Sequence, residues 1–508
     1  MMINENQIEL LVERLLNRIE EANTMFLMNI GSSVKKIREL TPTQAQQLVQ
    51  ILKYGGNYED IVKELAKYTN LNIKDIDDIF KNYAKKDQLF AKQFYQYRKI
   101  PFVEYAENEA LKRQTEALAN IVKNEMYNFT RANVLGYTIR DLKGRPQFIG
   151  LRETYNRVLD EALVNVGTGK ETFDSAMSRI MKDIGGSGLK TIEYESGRSM
   201  RLDSAVRMHL KGRLRELHNE NQELFGKEFG SDGVEISVHS NPAPDHAPVQ
   251  GRHFSNDEYR KLNNGLQAKD YKGKIYTLDH DDKNGYRPIS EYNCYHYIFP
   301  IILGVSEPEY TDEQLKEIID NTSEKIEFEG KKYNKYECTQ LQRNLERAIR
   351  EQKDTQILAK ASGNEELLYK SQDKIRMLTN KYKELSDVSG LPTKAQRLRV
   401  SQYRRKAGDT RSFYEKNLLG KTYGDITING VSKHLLERKT SRNLSLEDIE
   451  NGLSNPLKMT DVKIDSEGRQ SLQYIGERAT IVLNPVNGNI VSVWKTGSNR
   501  VKKLRGEK

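Results

Sequence analysis

One stretch, Val234 to Ser306, cannot continue the helices on either side of it. It opens VEISVHSNPAPDHAPVQGRHFSNDEYRKLN, passes through a Gly- and Lys-rich segment, and closes GYRPISEYNCYHYIFPIILGVS. Proline removes backbone donors, and glycine, asparagine and aspartate favour turns, so this composition breaks helices. Val234, Ile236 and Val238 alternate with polar neighbours, the pattern of a half-buried strand running into a Pro-broken loop. Seven of the eight histidines fall between His209 and His296, and Cys294, one of two cysteines, lies in the stretch. A long loop that concentrates His, Asp and Cys is rarely a mere connection.

The flanks read differently. Residues 1–230 carry helical periodicity: Ile8, Leu11, Val12, Leu15, Leu16 and Ile19 form a one-sided apolar stripe. Thr41-Pro42-Thr43 reads as a helix start, and further helical patterns fill 75–135 and 150–183. Gly185-Gly186-Ser187-Gly188 reads as a flexible break. The helix expected over Ser199–His218 carries Arg201, Arg207, Lys211, Arg213 and Arg215, a basic face for nucleic acid or an acidic subunit, or simply a solvated one. Beyond the central stretch, Leu341, Leu345, Ala348 and Ile349 make one stripe. Ile375, Leu378, Tyr382 and Leu385 make a second. Gly363 lies between them, which predicts an antiparallel helical hairpin. The basic passage PTKAQRLRVSQYRRKAGDTR over 392–411 reads as a linker.

The last segment changes class. A short helix capped by Ser445 carries Asp448 and Glu450. Strands are expected at Lys458–Ile464, Gln470–Ile475, Ala479–Leu483 and Ile490–Trp494, the last two joined through Asn487-Gly488. The expected fold is therefore multidomain: a mainly α part (1–230), an α+β, loop-rich centre (231–310), a helical hairpin (311–391), a basic linker (392–420) and a small α+β domain with an antiparallel sheet (421–508). No solenoid-period repeat is visible.

Composition adds bounds. Of 508 residues, 37% are hydrophobic and 30% charged, a modest core supply that suits helical layers. The net charge of +9 is no polycation, and it permits nucleic-acid contact without demanding it. Two cysteines, Cys294 and Cys338, build no disulfide framework and fit folding in a reducing cytosol. Glu13 and Arg14 interrupt the early apolar run expected of a signal peptide, and Ile298–Leu303 is too short to span a bilayer. No membrane association is expected.

Two constellations could carry chemistry. His239, His246, Cys294 and His296 offer the nitrogen and sulfur ligands that zinc prefers, and Asp245 or Asp279 could add oxygen. The Cys294-x-His296 spacing is tighter than the usual two-residue gap. The alternatives are polar side chains pinning the loop to its own backbone, or a cysteine hydrolase pairing Cys294 with His246, without a nucleophile-elbow sequence. In VSKHLLERKTSRNLS a helix would place Arg438 one turn from His434 and Arg442 one turn further. A histidine base beside guanidinium groups suits metal-free RNA cleavage. Trp494 could stack a base and Thr496 could bond a phosphate. Equally, a surface histidine with two arginines is ordinary, and a lone tryptophan in a small sheet usually belongs to the core.

HSNPAPDHAPVQGRHFS, NCYHYIFPIILG and YECTQLQRNLERAIREQK, in that order, resemble the phage minor capsid protein 2 family, the MuF-like minor head proteins of tailed phages, over roughly residues 1–410. In related domains a Cys/His set occupies the corresponding loop, matched here by His239, His246, Cys294 and His296. Tyr295 stands where arginine is more usual, so no role of that side chain carries over. The resemblance implies a low-copy virion protein at the portal or inside the head, made in the bacterial cytoplasm, with portal and capsid proteins as partners. Residues Tyr423–Thr496, through VSKHLLER, LSLEDIENGL and ATIVLNPVNGNIVSVWKT, are similar to nuclease domains of the barnase–EndoU–colicin–RelE-like superfamily, found fused to such head proteins as toxin cargo. That likeness implies a metal-independent ribonuclease with His434, Arg438 and Thr496 in its active site, Arg442 and Trp494 at the substrate, RNA as target and an immunity protein as partner. Two rival expectations are a dedicated contact-delivered toxin, and a phage-DNA packaging or ejection factor that uses Arg201–Arg215 and residues 394–406.

Overall fold

A computed structural model describes the chain except residues 1–4, 71, 132, 142, 169–172, 193–196, 240, 279–286, 291–293, 295, 405–409, 433–443 and 507–508. The N-terminal part contains α1 (Glu5–Arg38), α2 (Pro42–Tyr54), α3 (Asn57–Asn70), α4 (Asn72–Arg98), α5 (Glu109–Thr130), α6 (Leu151–Thr168), α7 (Phe173–Ser187) and α8 (Leu202–Phe229). The α1 stripe is buried at Val12, Leu15, Leu16 and Ile19 and continues through Phe26, Ile30, Val34 and Ile37. Thr41 closes a capping box with Gln44 ahead of Pro42, which satisfies backbone donors that a helix start leaves open.

Helical periodicity alone missed a four-stranded antiparallel sheet in this part. Its strands lie in the order Pro146–Gly150, Leu135–Arg140, Lys190–Ile192, Ser199–Arg201. The strands are short. Leu135, Tyr137 and Ile139 supply the buried face. At the turn the Asp141 carboxylate accepts the N–H groups of Lys143 and Arg145, and Gly144 takes φ +78°, which a side chain would resist. The Gly185–Gly188 run is also not a break. Its first three residues close α7, and a Cβ on Gly185 would lie 2.2 Å from Thr355 Oγ1 and 2.6 Å from Thr355 Cα. The glycine is there because another helix crosses at that point.

That helix is α11. After α9 (Asn256–Asn263) and α10 (Asp312–Ser323), α11 (Lys335–Ala361) and α12 (Glu365–Ser389) form the hairpin, joined through Gly363 at φ +72°. Rather than standing apart, α11 lies against α1 and α7. A Cβ on Gly31 of α1 would meet Ala361 Cβ at 2.5 Å. Ile357, Leu358, Leu367 and Leu368 join the same core as the N-terminal helices. Buried ions cross this junction. Arg201 reaches Asp354 at 3.3 Å, Asp203 at 3.2 Å and Glu20 at 3.7 Å, and Arg350 contacts Asp203 and Glu20. Asn23 donates to Asp354 and accepts from Tyr137 and the Leu189 N–H.

Three carboxylates thus face two guanidinium groups. Burial, reinforced by Asp203, pushes Glu20 up to about 8, and burial lifts Asp354 to about 6. Burial also opposes ionisation of Asp203, but Arg350 and Arg201 outweigh it and hold that carboxyl below its usual range.

These contacts correct the expected basic face. Arg201 and Arg215 are buried, Arg215 lies beside the Tyr297 ring, and Arg213 is held by Glu125 and Glu216. In the linker, Arg397 pairs with Glu346 and Arg399 with Glu13, and Val400 packs into the main core. A charge count along the sequence does not show that the partners are supplied by distant helices.

The central layer is a three-stranded antiparallel sheet ordered His253–Ser255, Gly233–Ile236, Ile298–Ile301. It packs on α8. The C-terminal part has its own core, in which Tyr414, Leu418, Ile449 and Leu453 pack on Leu472, Tyr474, Ile481 and Val493. Among the described residues its helices are α13 (Thr410–Leu418), α14 (Leu446–Ser454) and α15 (Ser498–Arg505). The strands Gln470–Ile475, Ala479–Leu483 and Asn489–Lys495 run antiparallel, while Gly430–Val431 adds a parallel edge. Ser445 caps α14 through a capping box with Asp448, and Gly488 takes φ +68° in the turn.

Gly185→Ala is expected to destabilise the protein by about 1–3 kcal/mol in denaturant unfolding, against the roughly 1 kcal/mol gain that alanine brings to an unobstructed helix. Glu20 binds its proton more tightly folded than unfolded, so stability should fall as pH rises from about 4.5 to about 8. Glu20→Gln should flatten that slope in unfolding curves taken across the range.

Candidate metal centre and C-terminal site

The centre is built where the strand Gly233–Ile236, its following Pro-rich turn and the entry to strand Ile298–Ile301 converge. The ligand-type atoms of His246, Cys294 and His296 all lie within 4.8 Å of one another. All three residues are buried, at 2%, 4% and 1% exposure. Nδ1 of His246 and Nδ1 of His296 each lie 3.4 Å from Cys294 Sγ. A tetrahedral zinc about 2.3 Å from sulfur and about 2.0 Å from nitrogen separates those two atoms by roughly 3.5 Å. The observed spacing fits that geometry.

The outer nitrogens set the tautomers. His246 Nε2 faces the Arg287 carbonyl at 2.8 Å, and His296 Nε2 faces Gln250 Oε1 at 3.3 Å. Both partners accept, so each Nε2 carries the proton and each Nδ1 presents a lone pair towards the sulfur. The Ser290 and His296 N–H groups donate to Cys294 Sγ at 3.2 and 3.4 Å.

In the metal-free pocket one proton is shared along the Cys294–His246 bond, and a bound metal would displace it. Burial raises the Cys294 thiol, but the hydrogen bond and charge of His246, with the two backbone donors, outweigh it and leave the pKa below the ordinary thiol value. Burial depresses His246, and its bond to Cys294 with the Cys294 charge reverses the sign, so it ends above the imidazole value. Burial, then His239 and His246, hold His296 well below that value, which keeps it neutral. A thiolate with two imidazole lone pairs can hold zinc. The same Cys294–His246 pair is also the polarised couple that a thiol nucleophile needs.

The other candidates sit differently. His239 lies outside the group of three; its ring centroid is 4.4 Å from that of His296, with the two planes tilted by 42°, and its backbone N–H donates to Gln250 Oε1. Asp245 accepts from Nε and Nη2 of Arg287, at 2.8 and 2.5 Å, so its role is to steady the loop beside His246. Asp279 lies outside the described residues. Sequence reading missed the Ser290 N–H and the Arg287 carbonyl, because backbone donors and acceptors leave no motif, and it missed the side-chain oxygen of Gln250, a residue type that is no metal ligand signal.

In the C-terminal part, His434, Arg438 and Arg442 fall outside the described residues. Thr496 is buried, and its hydroxyl shares a 2.9 Å hydrogen bond with Thr480. Trp494 is half-buried on the strand Asn489–Lys495. That strand pairs with Gly430–Val431, three residues before His434.

In chelator-treated protein, alkylation of Cys294 should begin at a higher pH in His246→Ala than in the parent, since removal of the imidazole leaves burial dominant. An unchanged pH–rate profile would contradict the pairing.

The phage minor capsid protein 2 family matches residues 3–387. No curated protein and no solved structure matches the chain.

Proposed function

The chain belongs to the phage minor capsid protein 2 family and is a structural protein of the virion; from that premise we propose that it sits at low copy near the portal, with its central layer locked by zinc on His246, Cys294 and His296. The observation that carries the zinc assignment is the pair of Nδ1 atoms aimed at one sulfur, each backed by an acceptor on Nε2. Zinc would join the turn that carries His246 to the entry of the strand after His296, two segments 50 residues apart in the chain. In such a centre the metal contributes folding energy, and the protein supplies ligand orientation. Among the described residues no helix is long and apolar enough to cross a membrane.

The second reading concerns the C-terminal part, as ribonuclease cargo delivered with the genome. It rests on the sequence likeness of Tyr423–Thr496 and on the separate core of that part. In it His434 is the base, Arg438 and Arg442 meet the phosphate, Trp494 stacks a base, and Thr496 supports the strand from within the sheet. No metal is required for that cleavage, and an immunity protein would protect the producing cell.

Quantitative mass spectrometry of purified particles should find the chain far below the major capsid subunit in number and cross-linked to the portal. Absence from particles, or parity with the capsid subunit, overturns the location. Metal analysis should give one zinc per chain, lost in Cys294→Ser together with several degrees of melting temperature. For the second reading, residues 411–508 should arrest bacterial growth and cleave RNA without added metal, and His434→Ala should abolish both.

A further inference from the structure

The cluster of His246, Cys294 and His296 forms one wall of a cleft of about 960 Å³. Another part of its lining comes from α11. Tyr336, Gln340, Arg343 and Arg347 line the cleft from that helix, at spacings of four, three and four residues, which place them on one face. The ladder is about 16 Å long at 1.5 Å per residue, the length of roughly five nucleotide steps of 3.4 Å. Arg198 and Lys394 line the cleft as well, and no aspartate or glutamate is among the described residues lining it. Arg198 and Arg347 are exposed. Arg287, which also lines it, is engaged by Asp245.

We propose that this cleft binds the phosphodiester backbone of a nucleic acid. Planar guanidinium forks match phosphate oxygens in geometry as well as charge. Tyr336 adds a half-buried ring, and Asn241 and Gln340 add amides that accept and donate along a strand. The position differs from the helix face that a count of charges selects, because Arg201, Arg213 and Arg215 are used inside the fold. The proposal deepens the virion role, and it does not depend on whether the cluster holds zinc.

The test uses the full chain and a fluorescent single-stranded DNA oligonucleotide, with anisotropy read over a salt series. Arg343→Glu with Arg347→Glu should weaken binding on the order of tenfold or more and lower the salt slope by about two. The control, Lys502→Glu with Lys503→Glu on α15, changes net charge equally and should leave affinity within about twofold. Thermal unfolding and zinc content are measured on every preparation. If the double Glu variant does not fold, Arg343→Gln with Arg347→Gln replaces it. Equal losses from both pairs, or none from either, overturn the proposal. Poly-glutamate that competes as strongly as the DNA would also overturn it, assigning the cleft to an acidic protein segment.

Discussion

Arg201 holds the assembly together. It sits at the end of a short strand and the start of α8, and its guanidinium joins Asp354 of α11, Asp203 of α8 and Glu20 of α1. Removing one partner from a buried ion pair leaves an uncompensated charge, at a typical cost of about 3–5 kcal/mol. Here the three acids and two bases come from segments separated by hundreds of residues. The cluster therefore specifies which face of α11 meets the N-terminal bundle. Gly31 and Gly185 make the matching notches on α1 and α7. Everything downstream follows from that seating, because α11 also supplies part of the lining of the cleft over the His/Cys cluster.

Local features were readable from the sequence, and distant ones were not. The α1 stripe, the Thr41 and Ser445 caps, the α11–α12 hairpin with its Gly363 corner and the strands Gln470–Ile475, Ala479–Leu483 and Asn489–Lys495 all rest on patterns within a few residues, and they appear in the fold. The strand expected over Lys458–Ile464 is instead two short pieces, Lys458–Met459 and Lys463–Ile464, each paired with Gln470–Ile475. The sheet over 135–201 escaped because strands of three to six residues give too few alternations beside strong helical periods. Gly185 looked like a breaker because glycine signals flexibility locally, whereas its cause is the Thr355 backbone far along the chain. The same blindness made Arg201 and Arg215 look like surface charge.

The central cluster was partly legible. Four residues, three histidines and a cysteine, pointed to a metal, and three of the four meet. What the sequence could not convey is the layer behind them. The Arg287 carbonyl, Gln250 and two backbone N–H groups decide tautomer and thiolate character, and all but Gln250 act through main-chain atoms. Their combined effect is a buried cluster in which one imidazole stays neutral while the other shares charge with a thiol. A buried cluster of this kind, between a basic ladder and a three-stranded sheet, links the stability of the central layer to the surface it presents.

The most direct measurement is X-ray absorption at the zinc edge on the full-length protein as purified. A shell with one sulfur at about 2.3 Å and imidazole nitrogens at about 2.0 Å, with the sulfur contribution gone in Cys294→Ser, is the predicted result. Protein that carries no zinc and takes none up, or a shell without sulfur, would contradict the account.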